Sequence, residues 1–122
     1  MFELSKQFRF DAAHTLRREV DAEPSRRIHG HSYRAEVTVR GRPDPETGMI
    51  VDLGLLERKL EEAREALDHR FLDEMDDLGP ATMENLAAWI WHRLQPSLGG
   101  LARVTVHRDS SGETCTYFGP TK

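Results

Sequence analysis

The stretch "RRIHGHSYRAEVTV", residues 26–39, decides how the chain is read. If it is extended, alternate side chains share a face, so His29, His31, Tyr33, Ala35, Val37 and Val39 lie together while Ser32, Arg34, Glu36 and Thr38 take the other side. Two imidazoles therefore continue an apolar face. An apolar face gains nothing from adjacent imidazoles unless something binds them, and a metal ion is the obvious candidate.

Working outward from this strand, residues 2–10 alternate in the same way, with Phe2, Leu4, Phe8 and Phe10 on one face, and residues 31–42 run on to the turn "GRPDPETG". From Asp52, a good N-cap, Leu53, Leu56, Leu60, Ala63 and Leu67 recur at helical spacing. A second helix opens near Thr82, carries Met83, Leu86, Ile90 and Leu94 on one stripe, and closes at "QPSLGG". Ala102, Val104 and Val106 alternate again, "DSSG" turns the chain, and "ETCTYF" brings it back. The order ββααββ predicts an α+β fold, a four-stranded antiparallel sheet with both helices on one face, as a single domain over residues 1–122. Its two free edges predict pairing between identical subunits, and cyclic closure would give a barrel.

A formal net charge of −4 over 122 residues argues against non-specific binding to nucleic acid or anionic membrane. The absence of a long apolar run or a leader-like start predicts a cytoplasmic location. The single cysteine, Cys115, excludes an internal disulfide and a multi-cysteine zinc site, so a metal would rely on His and carboxylates. His14 lies just past the first strand, where antiparallel pairing returns it beside His29 and His31. Three imidazoles and an open fourth position form the catalytic zinc pattern. The alternative is that His14 caps a turn and the H-G-H pair only lines a groove. His69 follows Asp68 at the end of the first helix, the place for a simple C-terminal cation; His92, on a polar helix face, and His107, on a strand, receive no role.

"FDAAH", "HGHSY", "TGMIVDL", "LDHRFLD", "PATMENLAAWIW" and the closing hairpin together resemble, in order and over nearly the whole chain, the 6-pyruvoyltetrahydropterin and 6-carboxytetrahydropterin synthase family. That resemblance implies a T-fold subunit assembling through trimers into a hexamer with active sites at subunit interfaces. It also implies Zn2+ on His14, His29 and His31, and proton transfer by an Asp68–His69 pair. The implied substrate is 7,8-dihydroneopterin triphosphate, which the animal-type enzyme converts to 6-pyruvoyltetrahydropterin. The queuosine-pathway type releases acetaldehyde and leaves 6-carboxytetrahydropterin. Arg17, Arg18, Arg26 and Arg27 precede the H-G-H strand and suit a triphosphate, or equally a solvated loop.

Two departures from the family pattern stand out. Where standard members place a cysteine four residues before H-G-H, this chain has Ser25, whose hydroxyl needs an adjacent base to act at neutral pH. A subgroup with glutamate three residues before H-G-H is matched here by Arg26; Glu23 lies further upstream, and Cys115 is on the last strand. Family members also end the first strand of the last hairpin with a carboxylate that grips the pterin's aminopyrimidine edge. Counting back from Tyr117 puts Asp109 there, counting forward along Val104 and Val106 puts Arg108 there, and Glu113 lies beyond the turn. Asp109 is the expected anchor, with Glu113 as the alternative and Thr82 and Glu84 at the pocket edge. The implied function is a zinc-dependent 6-carboxytetrahydropterin synthase in which Ser25 or a water replaces the thiolate. The alternatives are 6-pyruvoyltetrahydropterin synthase or dihydroneopterin side-chain aldolase activity, or a non-catalytic zinc- and pterin-binding protein.

Overall fold

The computed structural model describes residues 1–121. Strands β1 (Phe2–His14) and β2 (His29–Gly41) form a long antiparallel ladder that brackets the short helix α1 (Ala22–Arg26). Helix α2 (Leu53–Leu67), the two-residue strand β3 (Arg70–Phe71) and a 3-10 turn at Leu72–Glu74 follow. Helix α3 (Met83–Leu94) leads into the hairpin of β4 (Leu101–Arg108) and β5 (Glu113–Tyr117).

The expected antiparallel four are present as β1, β2, β4 and β5, but β3 pairs parallel with β1 and widens the sheet to five strands in the order β3-β1-β2-β4-β5. The sheet is mixed, and in the single chain it is open. With only two paired residues, Arg70 and Phe71, β3 is too short to leave an alternation in the sequence. The expected pair of helices is joined by a third, α1, whose five residues are below the length at which helical periodicity shows. No helix among the described residues is long and apolar enough to cross a membrane.

The layers follow from parity. Phe8, Phe10, Tyr33, Ala35, Val37, Val104 and Val106 are buried beneath Leu56, Leu60, Ala63 and Leu67 of α2 and Leu86, Ile90 and Leu94 of α3. Phe10 stacks on Tyr33 with ring centres 5.0 Å apart, closing the core toward the H-G-H end. The opposite face carries cross-strand polar pairs instead: Ser5 with Thr38, Glu3 with Arg103, Glu36 with His107, and Thr105 with Thr116. Both long helices begin on side-chain caps, Asp52 as expected and Thr82 where the second helix was expected to open. Asp52 Oδ1 accepts from the Leu55 N–H at 3.1 Å, and Thr82 Oγ1 from the Asn85 N–H at 3.2 Å. Replacing Asp52 with Ala is expected to destabilise the protein by about 1 kcal/mol, read from the urea midpoint, by leaving the first turn of α2 uncapped.

Candidate metal centre and active-site cleft

The β1–β2 ladder continues past the helix layer, and its final pair is His14 opposite His29, with His31 two residues further along opposite Ala12. All three rings therefore project from the core face at its open end. Their centres lie 4.5 Å (His14–His29), 4.8 Å (His14–His31) and 5.0 Å (His29–His31) apart. One ligand nitrogen from each falls within 4.8 Å of the other two. Tetrahedral zinc needs nitrogens about 3.3 Å apart, a contraction that side-chain rotation supplies.

The surroundings of the rings fit a metal. His14 is 1% exposed; its Nδ1 bonds the Ala81 carbonyl at 2.8 Å, and its buried Nε2 has no hydrogen-bond partner. His29 Nδ1 bonds the Arg27 carbonyl at 2.7 Å, which turns its Nε2 away from that carbonyl. A backbone carbonyl on one ring nitrogen fixes the tautomer and leaves the other as a ligand. Burial lowers the pKa of His14 against the opposing pull of the Ala81 carbonyl. Burial, reinforced by the Arg108 guanidinium, lowers His31 to about 4. Both rings are thus neutral near neutral pH, with lone pairs to offer. An ion held by such a triad would account for the orphaned imidazole nitrogen.

The triad forms the inner end of a cleft of about 900 Å³ that also reaches Arg18, Ser25, Thr82, Glu84, Arg108 and Glu113. Over residues 3–120 the sequence matches the family model described as "6-pyruvoyl tetrahydropterin synthase". The chain belongs to the 6-pyruvoyl tetrahydropterin synthase family. It is 36% identical over 130 residues to a 6-carboxy-5,6,7,8-tetrahydropterin synthase of Synechocystis, covering 98% of this chain and 95% of the relative. It is 45% identical over 87 residues to the human 6-pyruvoyl tetrahydrobiopterin synthase, covering 65% of this chain and 59% of the relative. The structure of the Caenorhabditis elegans 6-pyruvoyl tetrahydropterin synthase superposes with a TM-score of 0.84 at 27% identity, covering 98% and 96% of the two chains. These relatives are tetrahydropterin synthases, so the chain is an enzyme of a pterin synthase family.

For a member of this family the positions of the other polar side chains matter as much as the triad. Asp68 and His69 stand outside the cleft, at the outer edge of β1. Asp68 accepts from the Asp11 N–H at 2.9 Å and from Arg64, and its second oxygen lies 2.9 Å from His69 Nδ1. The Asp11 N–H, followed by His69, holds the Asp68 carboxyl below the usual carboxylate range. His69 sits at φ 59°, a left-handed conformation that costs a non-glycine residue about 1–3 kcal/mol, and its ring is 80% exposed. The bond from its N–H to the Asp11 carbonyl at 2.6 Å and the Asp68 carboxylate hold it there. His69 lines a second depression, with Asp11, Ser32, Arg70 and Phe71, which shares His31 of the triad with the cleft.

Ser25 lines the cleft, but its hydroxyl donates to the Ala22 carbonyl at 2.7 Å inside α1. Arg27 pairs with Glu23 at the surface, and Arg26 lines a shallow depression with Thr15 and Arg17; of the four loop arginines only Arg18 reaches the cleft. Thr82 and Glu84 are cleft residues. Asp109 points to the opposite face of the sheet, where its carboxylate takes two bonds from Arg34 (3.0 and 2.9 Å) with Arg9 alongside. Glu113 lies in the cleft and is joined there by a residue to which sequence reasoning gave no role, Arg108. Cys115, opposite Val106 in the β4–β5 ladder, is half-buried, and burial raises its thiol pKa. His107 bonds Glu36 on the polar face.

Proposed function

We propose that the protein is a zinc-dependent pterin enzyme that converts 7,8-dihydroneopterin triphosphate to 6-carboxytetrahydropterin with loss of triphosphate and acetaldehyde. The observation that carries this reading is the convergence of His14, His29 and His31 around an orphaned, buried Nε2, in a chain that matches a 6-carboxytetrahydropterin synthase from end to end. A zinc ion on the three imidazoles supplies Lewis acidity toward the oxygens of the substrate side chain.

The remaining work falls to side chains. Asp68 fixes the proton of His69 on Nδ1 and leaves Nε2 to take up and return protons, the task of a general acid–base group. Because His69 stands at the sheet edge and not in its own cleft, the pair serves the cleft of a neighbouring subunit. The open sheet offers the edges for that assembly, a trimer or hexamer closing into a barrel. Glu113, Thr82 and Glu84 contact the pterin, and Arg18 lies where the triphosphate enters. Ser25 stands where a thiolate would be the stronger base, so a water fills that role beside it.

Incubating zinc-loaded protein with 7,8-dihydroneopterin triphosphate and reading the products by mass spectrometry tests the proposal. Expected are 6-carboxytetrahydropterin and acetaldehyde in equal amounts; unchanged substrate would overturn it. The Ser25→Cys variant is expected to turn over at least about tenfold faster, because a thiol near pKa 8.5 ionises where a hydroxyl does not. No gain with zinc still bound would show that residue 25 takes no part in the chemistry.

A further inference from the structure

Arg108 is the last residue of β4 and shares the parity of Val104 and Val106, so it enters the cleft from the core face beside the triad. Its side chain is only 17% exposed. Nε and Nη2 both donate to one oxygen of Glu113, Oε1, at 2.9 and 2.5 Å, and Nη1 lies 3.3 Å from His31 Nε2. Ser111 donates to that same Oε1 at 2.5 Å. The Ser111 hydroxyl first, then Arg108, hold the Glu113 carboxyl below its usual range.

Several of the cleft's polar groups already have partners within the chain: the Ser25 hydroxyl bonds Ala22, the Thr82 oxygen the Asn85 N–H, and Glu113 Oε1 both Arg108 and Ser111. A guanidinium carries only donors. The same lone pair on His31 Nε2 cannot serve both Arg108 and a metal ion, so ligation through that nitrogen takes from Nη1 the acceptor it has there and leaves the guanidinium the neutral Tyr33 hydroxyl, which offers no charge. Of the three acids of the cleft, Asp21, Glu84 and Glu113, Arg108 pairs with Glu113.

We propose that Arg108 is a specificity-determining residue of this cleft, selecting ligands that present an anionic oxygen group, a carboxylate or a phosphate, beside the histidine triad. The proposal deepens the reading of the cleft as a metal-dependent pterin site and rests on it. One anionic group satisfies the freed Nη1 and approaches the triad's open side together, and the planar fork of arginine suits paired oxygens better than a point charge does.

The test uses Co2+ as a spectroscopic metal and acetate and inorganic phosphate as separate probes, titrated into wild type, Arg108→Met and Arg108→Lys while the visible cobalt bands are followed. Calorimetric titration of the metal-free proteins with the same anions runs beside it, and circular dichroism confirms each fold. Wild type is expected to saturate with at least one of the anions at a concentration about tenfold or more below Arg108→Met, with Arg108→Lys between them. Which probe responds distinguishes a carboxylate site from a phosphate site. Glu113→Gln, which removes the competing carboxylate, is expected to tighten binding of that anion several-fold. Equal saturation of wild type and Arg108→Met by both anions would overturn the proposal. If cobalt does not bind at all, the metal reading falls and the calorimetry decides: Arg108-dependent anion binding still supports the proposal, and its absence overturns it.

Discussion

Replacing His31 with Ala is expected to weaken zinc binding by more than about 100-fold while leaving the fold intact. The magnitude follows because loss of an outer partner of a metal ligand already costs about 10–100-fold, and a direct ligand costs more. The fold is expected to survive because His31 is half-buried at the end of β2, beyond the apolar layer anchored by Tyr33, Val37 and the two long helices. Stability of the metal-free protein should change by no more than about 1 kcal/mol. Two measurements check this. Competition with a chromophoric chelator gives the affinity, and a thermal melt with and without zinc gives the linkage. Saturating zinc should raise the midpoint of wild type but not of the variant, since a ligand held only by the native state stabilises it by about 2.7 kcal/mol at a hundred times its dissociation constant. His107→Ala is the control. His107 bonds Glu36 on the opposite face of the sheet, so its loss should leave zinc affinity unchanged. Wild-type zinc affinity in His31→Ala would remove the triad from the metal reading. Collapse of the fold would mark the ring as a packing element.

What the sequence made legible, and what it did not, divides along the reach of side-chain periodicity. The parity of His29, His31 and Tyr33 already implied that the imidazoles extend the core face, and the β1–β2 register places His14 opposite His29 as antiparallel pairing required. The cap at Asp52 and the helix start at Thr82 were readable because their chemistry is local. β3 and α1 were not, because two paired residues and five helical ones carry no period. The hairpin end shows a subtler limit. Counting back from Tyr117 favours Asp109, but the ladder pairs Arg108 with Glu113 and leaves residues 109–112 to the turn. Parity held the relevant signal: residues 104, 106 and 108 share the core face, while Arg103, Thr105 and His107 share the other, on which Asp109 meets Arg34. The bond from Ser25 to Ala22 likewise depends on α1, and no pattern around Ser25 announces it.

Replacing His69 with Ala is expected to lower kcat by about 10²–10⁴-fold with zinc content unchanged, the loss typical of a general acid–base group. Asp68→Asn should fall between this variant and wild type. It keeps the side-chain volume but loses the carboxylate that bonds Nδ1, the Asp11 N–H and Arg64. The sharper consequence concerns where the pair acts. His69 lines a depression with Asp11, His31, Ser32 and Phe71, whereas His29 and the orphaned His14 line only the cleft on the core face, so in the proposed reading the metal and the proton relay of one centre come from different chains. If neighbouring subunits complete it, two inactive proteins contain every needed part between them. His14→Ala lacks the metal but keeps the relay; His69→Ala keeps the metal but lacks the relay. Mixing them under conditions that exchange subunits should restore about a quarter of wild-type activity, because a site then draws an intact triad from one chain and an intact pair from the next in one random pairing out of four. Native mass spectrometry of an isotope-labelled mixture establishes that exchange has occurred. Exchange without recovery would confine the chemistry to a single subunit. In that case the left-handed His69 and its carboxylate would be a feature of the β1 edge alone, and the base would have to be sought among the cleft's own residues, with Glu84 and Glu113 the carboxylates already in place.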